Sequence, residues 1–458
     1  IRSGSMWTKK QKLHALDGAI GDCFGWSVSI DGDTALIGSI YDDDKGKDSG
    51  SVYIFIKISN NWVFQQKLNA SDGATNACFG ASVFFSINTI LIGAYMQDNY
   101  MGSAYVFFLN DTTWLQQAKL LISDGAPWDN FSCSISIDGD SALIGASGND
   151  DNGIDSGSAY VFVRTGSAWV FQQKLFAPDG AANDLFGYSV SISGNTALIG
   201  AVGDASFKGA AYVFLRSGNK WTFKQKIIAQ GAGFHEYFGC SVSVDADTAV
   251  IGAFGDDNFK GSAEVWKRGT TGIWVFEKKL DAYDGELLDC FGVSVSIDGD
   301  TALIGAHYDD DKGTYSGSAY IFTRSGSTWT WKEKLHALDG AEGDCFGFSV
   351  SLEGDAALVG AYLNDDKGTD SGSAYLFTRI GSSWAERKKF IASDGAAGDH
   401  FGFSVSISDN TAAIGANMDD DKGLDSGSSY IFTKIGPTTC KTAKLHASDG
   451  ASRNNFSF

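Results

Sequence analysis

The stretch FGWSVSIDGDTALIGS, residues 24–39, decides the fold. Both halves alternate apolar with small or polar residues, the period-two pattern of strands. Asp31-Gly32 stands between them. Asp-Gly between alternating runs is a strong hairpin signal, because the favoured two-residue turns need positive φ. The pair recurs as Asp138-Gly139 and Asp298-Gly299 and, altered, as Ser193-Gly194 and Glu353-Gly354. Two more such runs follow, SVYIFIK (51–57) and WVFQQKL (62–68). One unit is therefore four antiparallel strands.

The unit repeats. Lys-Leu, Lys-Ile or Lys-Phe pairs place their lysine at 12, 67, 119, 174, 226, 279, 334, 389 and 444, at intervals of 52 to 55 residues. Units of this length suit propeller blades better than helical solenoids, and no helical periodicity competes. The expected fold is an all-β propeller of four-stranded blades starting near 24, 79, 131, 186, 238, 291, 346 and 401. The count is eight, or seven if one unit lies outside the ring. The fourth strand begins with Trp62, Trp114, Trp169, Trp221, Trp274, Trp329 and Trp384, but Thr439 takes that place after Lys434. The missing tryptophan stands at the other end, as Trp7. A strand over 6–13 is thus expected to complete the blade that begins at 401. That makes 1–436 one propeller and 437–458 a diverged tail or the start of a further repeat. The alternative is a segment of a longer array whose end strands pair with neighbouring copies.

The chain has 458 residues, 43% of them hydrophobic, which excludes disorder. Its formal net charge of -20 repels nucleic acid and anionic membranes and favours cations or basic ligands. No run of about 18 apolar residues is present to span a bilayer. No signal peptide is visible, and residues 1–13 align with 324–335, so the chain begins inside a repeat.

Phe-Gly opens the first strand and Gly-Ala or Gly-Ser follows the second: Phe24-Gly25 with Gly38-Ser39, Phe186-Gly187 with Gly200-Ala201, Phe401-Gly402 with Gly415-Ala416. This resembles the FG-GAP repeat of integrin α-subunit propellers and their relatives, over essentially the whole chain. The proline that ends the usual motif is absent. The resemblance implies an extracellular or cell-surface adhesion or ligand-binding propeller without catalysis. In that family calcium sits between the first and second strands. A two-residue hairpin there cannot supply the roughly six to eight oxygens calcium takes, so those sites do not carry over.

The acids lie elsewhere. YDDDKGKDSG, residues 41–50, joins the second strand to the third. Antiparallel connectivity puts it on one face with the interblade loop of Asp17 and Asp22. The second acid of that loop recurs as Asp129, Asp184, Glu236, Asp289, Asp344 and Asp399. The opposite face carries Arg164, Arg216, Arg268, Arg324 and Arg379. Full-length acidic loops recur at 149–155, 309–315, 364–370 and 419–425; those in units two, four and five are three residues shorter. Alternating oxygens would make calcium sites of Asp42, Asp44 and Asp48; Asn149, Asp151 and Asp155; Asp309 and Asp311; Asn364, Asp366 and Asp370; and Asp419, Asp421 and Asp425. Lys45 at the third ligand position, and Tyr315 in place of the last acid of unit six, count against this. Two other readings stay open: solvated turn-capping acids and direct contact with a basic ligand.

Cys23–Cys78 and Cys290–Cys345 are disulfide candidates between adjacent blades; buried free thiols are the alternative. His14, His336 and His446 share one structural repeat position. His235, beside Glu236, and His400 break the repeat on the acidic face; the rim aromatics Tyr41, Tyr95, Tyr308 and Tyr362 suit stacking on a sugar. Three functions are in view: a recognition propeller for a protein or glycan, a self-assembling structural repeat, and a carbohydrate-binding or hydrolytic propeller.

Overall fold

The computed structural model describes residues 6–435 apart from 60, 87, 232, 234 and 409. The opening stretch forms strands Phe24–Asp31 and Thr34–Ser39, with Asp31 paired to Thr34. The two turn residues are therefore Gly32 and Asp33, one place later than the Asp-Gly reading. Only Gly32 has positive φ, at 54°. A hairpin turn of the II′ type takes glycine at that first central place. Strands Ser51–Ile58 and Asn61–Leu68 complete the blade in sequential order.

Eight such four-stranded sheets follow one another, so the seven-blade alternative falls. The last sheet is completed by the strand Met6–Leu13, which pairs with Ser428–Ile435 from Met6↔Ile435 to Leu13↔Ser429. Trp7 thus lies opposite Lys434, where the tryptophan count put it. The tail expected over 437–458, with Cys440 and His446, lies outside the described residues.

Blade faces are buried against each other. Leu36, Val52, Ile54 and Leu68 of unit one meet Phe79, Ile90, Ile92, Tyr105, Phe107 and Trp114 of unit two in one cluster. At about 25 cal/mol per Å² of apolar surface, this burial dominates the stability. The two sequence motifs meet at the same seam. Phe79 is fully buried, edge-on to Tyr105 at 5.2 Å. Gly80 has φ 101°, and a Cβ on Gly38 would overlap the Gly80 carbonyl. Parallel bridges tie each blade to the next, as Gly50↔Phe79, and close the ring as Gly427↔Phe24. Unit three departs from the motif with Ser132 in place of the glycine, at φ 77°. Its hydroxyl offsets the strained backbone by donating to Ser103 O and accepting from Ala94 N. The six cysteines among the described residues are free thiols, so the disulfide candidates are not formed.

Candidate functional site: the acidic face

The lysine that marks each repeat ends the fourth strand. There its side chain returns to the acidic loop. Lys67 Nζ lies 2.7 Å from Asp17, 2.7 Å from Asp42 and 2.6 Å from Asp44. The Tyr53 hydroxyl lies 2.7 Å from Asp17 Oδ1 and 2.8 Å from Asp42 Oδ2. The ammonium also stands 5.0 Å from the Tyr53 ring centre. Asp42 Oδ1 accepts the Ser51 hydroxyl and the backbone N–H of Asp44. The group is thus one cation, two hydroxyls and three carboxylates.

The arrangement recurs around the ring. Lys334 meets Asp284, Asp309 and Asp311. Lys12, from the closing strand, meets Asp394, Asp419 and Asp421, with its side chain fully buried. In units three and seven, Asn149 and Asn364 replace the central acid. Lys174 then holds Asp124 and Asp151, and Lys389 holds Asp339 and Asp366. Short-loop units keep less of it. Lys119 pairs with Asp72, Lys226 with Asp179 and Asp204, and Lys279 with Asp256 and, more distantly, Asp281. Burial works against the charge of Lys67, but Asp42, Asp17 and Asp44 outweigh it and hold its pKa above the ordinary lysine value. Burial likewise opposes ionisation of Asp17, yet Lys67 and Tyr53 hold its pKa below normal.

Of the residues expected to ligate calcium in unit one, Asp42 and Asp44 converge, joined within 4.8 Å by the interblade Asp17 rather than by Asp48. With Lys67 at their centre, this set does not fit calcium. The last acid of each loop goes elsewhere. Asp48, Asp155, Asp370 and Asp425 sit at φ 54–58°. Each gives its backbone N–H to an acid five residues back: Asp43, Asp150, Asp365 or Asp420. Their backbone carbonyls bond the next blade, as Asp48 O with Cys78 N.

The interblade acids form a second, buried set. Asp22 is 2% exposed and accepts the Ala19 N–H at 2.6 Å. Burial, with the Asp42 charge adding to it, pushes its pKa up to about 8. Burial likewise raises Asp289 and Asp399 to about 7. Asp129, Asp184, Asp344 and Glu236 are raised by burial too. In units three and seven the loop asparagine donates to this acid: Asn149 to Asp129 at 3.2 Å and Asn364 to Asp344 at 2.9 Å.

The aromatic and histidine candidates each pack against other rings, Tyr95 against Tyr100 among them. Tyr362 contacts Phe348, His400 and Phe403, and Phe403 contacts Trp26, which in turn meets Tyr41. Tyr308 lies against His307 and Tyr315. Burial lowers the pKa of His400. His235 is exposed beside Phe207 and Tyr237, while the neighbouring Glu236 carboxylate accepts the Gly233 N–H. The arginines of the opposite face are held at home, Arg164 by Asp140, Arg324 by Asp300 and Arg379 by Asp355.

Sequence reasoning missed the marker lysines and their tyrosines. The available signal was register. Tyr53 pairs with Lys67 across two strands, and the same pairing recurs as Tyr105↔Lys119, Tyr160↔Lys174 and Tyr320↔Lys334.

Fold and register together define an eight-bladed propeller whose loops are braced by lysine. The chain belongs to the FG-GAP repeat family, whose model matches residues 7–55, 62–107, 114–162, 169–214, 221–265, 274–322, 329–377 and 384–432. It is similar to integrin alpha-11 of Homo sapiens, 33% identical over 102 residues, which is 19% of this chain and 9% of that protein. Integrin alpha-11 of Mus musculus is 29% identical over 133 residues, 25% of this chain and 11% of that protein. The chain thus spans about a tenth of the length of these relatives. Among solved structures, a functionally unknown protein from Desulfotomaculum acetoxidans DSM 771 aligns with a TM-score of 0.47 and 11% identity, over 73% of this chain and 90% of that one. No helix among the described residues is long and apolar enough to cross a membrane.

Proposed function

We propose that the chain is a non-catalytic recognition propeller of the adhesion type, working outside the cell or at its surface. A protein or glycan ligand meets its acidic loop face. One observation carries this reading: the lysine-braced scaffold recurs around the ring, while residues at the axial end of the face differ from unit to unit. The residue after the Phe-Gly pair, or after Phe131-Ser132 in unit three, is Trp26, Ala81, Cys133, Tyr188, Cys240, Val293, Phe348 or Phe403. In a repeat protein, positions that diverge while their neighbours stay fixed are where a specific partner is read. Lysine, rather than calcium, holds the inner carboxylates in this reading.

The test is binding of lysine-rich and neutral peptide libraries to immobilised protein, with substitutions on each face. Tyr41→Ala with Tyr362→Ala is expected to weaken selected ligands, and Arg164→Ala to leave them unchanged. Ligands that respond only to Arg164→Ala overturn the assignment of the face. Melting in EDTA and in calcium is expected to give one Tm; a rise with calcium overturns the lysine reading.

A further inference from the structure

Trp128 precedes the buried acid of its interblade loop. The backbone at this place has positive φ in every unit: 82° at Gly21, 60° at Asn76, 76° at Trp128, 67° at Asn183, 59° at His235, 76° at Leu288, 87° at Gly343 and 86° at Gly398. Glycine and asparagine adopt that geometry cheaply; a bulky side chain does so at a cost. Burial does not offset the cost here, because Trp128 is 61% exposed. Its ring lies flat against Tyr100, with centroids 4.4 Å apart and planes 14° apart. Tyr100 is itself at φ 63°, where units one, three, seven and eight place an aspartate. Hydrogen bonds clamp the two segments together, Trp128 N to Asn99 O at 3.1 Å and Asn130 N to Tyr100 O at 2.7 Å. Asp98 and Asn99 are exposed and Asn130 half-exposed at the adjacent positions.

We propose that Tyr100 and Trp128 form a stacking platform for a sugar ring, a carbohydrate site on the acidic face between units two and three. This deepens the reading of that face as a contact surface and rests on it. A pyranose presents a flat C–H face to a rigid ring, and its hydroxyls both donate and accept. Asp98, Asn99 and Asn130 offer the complementary carboxylate and amides. Two stacked rings are far smaller than the roughly 800 Å² that each partner contributes to a stable protein interface, and they match one or two sugar residues. The surrounding acids exclude anionic sugars. The ligand class is a neutral hexose or N-acetylhexosamine oligosaccharide.

The test is saturation-transfer NMR and calorimetry against a panel of neutral glucose, galactose, mannose and N-acetylglucosamine oligosaccharides. A sialylated oligosaccharide and a lysine-rich peptide are included. Trp128→Asn introduces the residue that units two and four already use there, as Asn76 and Asn183. At least one neutral sugar is expected to bind saturably, and Trp128→Asn to weaken it roughly tenfold or more with Tm unchanged or raised. Tyr100→Asp, the residue of units one, three, seven and eight, is expected to do the same. The site is overturned if no neutral sugar binds, if Trp128→Asn leaves binding intact, or if it lowers Tm, which would make the pair structural packing. Peptide binding that depends on Trp128, without any sugar binding, overturns the sugar but leaves the acidic face as the contact surface.

Discussion

In unit one the second-to-third loop delivers Asp42 and Asp44 to Lys67, then ends on Asp48 at the next blade. In unit two the loop is the shorter turn Gln97–Tyr100, and a glutamine takes the place of Asp42. Gln97 still meets the tyrosine of its blade, Tyr105, at 2.5 Å, and Lys119 still pairs with Asp72. The end of the short loop is an aromatic ring, Tyr100, instead of Asp48. Units four and five repeat this, with Phe207 and Phe259 at φ 64° and 65°. The inner half of the loop is therefore scaffold, satisfied by whatever acceptor fits. The outer end is where units specialise, acidic in units one, three, seven and eight and aromatic in the short-loop units and, as Tyr315, in unit six.

The largest expected effect separates the two loop types by charge. Lys12→Met strands three carboxylates, one of them, Asp419, almost wholly buried, and is expected to cost about 3–5 kcal/mol in a denaturant melt. Lys119→Met frees only the half-exposed Asp72 and is expected to cost under about 1 kcal/mol. Equal losses would mean that side-chain packing, rather than charge, is what the lysines supply.

The next effect follows pH. Asp22, Asp289 and Asp399 have pKa values of about 8, 7 and 7 in the fold, against about 3.9 for an unfolded aspartate. Between those limits the folded chain holds protons that the unfolded chain has released. Stability is therefore expected to fall as pH rises from about 4 to about 8, by at most about 1.4 kcal/mol per pH unit for each group. In units three and seven this contact is already an amide–carboxylate pair, with the amide on the loop side as Asn149 or Asn364. The triple change Asp22→Asn, Asp289→Asn and Asp399→Asn is expected to flatten the Tm–pH profile over this range. An unchanged slope would place the titration in other groups.

Calcium sharpens the contrast further. Lys67→Ala empties a three-carboxylate socket and is expected to create calcium-dependent stability of about 1.4 kcal/mol when calcium stands at roughly ten times its Kd. Lys119→Ala leaves a single carboxylate, and its Tm is expected to ignore calcium. The smallest effect belongs to the opposite face. Arg164 and the exposed Asp140 make a surface pair, and Arg164→Ala is expected to cost no more than about 1 kcal/mol in the same melt.

The architecture was legible because a propeller repeats its signals. The period of the Lys-Leu pairs, the glycine turns and the displaced Trp7 each constrain the ring independently, and they agree. The Asp-Gly reading sets the hairpin one residue early because the pair suits two turn types, and only the pairing of Asp31 with Thr34 distinguishes them. The acidic loops misled for a physical reason. A run such as DDDK looks like an open set of anions when only neighbours in sequence are considered. The cation that neutralises it comes from the end of the fourth strand, more than twenty residues on. Lys67 served as a ruler for the repeat, while its charge is what the aspartates answer. Trp128 gave no signal in sequence, because positive φ is a backbone property that its residue type argues against.

The closing strand has a mechanical consequence. Met6 lies beside Ile435, so the chain enters and leaves the ring at one point, at the same end of one antiparallel pair. A force applied through those two residues loads that pair in peeling geometry. Its hydrogen bonds would break one after another, starting at Met6, instead of sharing the load as in shear. Farther along, the peel reaches Lys12, whose contacts with Asp394, Asp419 and Asp421 form a catch behind the zipper. Under tension the ring would open at its seam, at a force set by that one lysine, while the other seven blades stay folded.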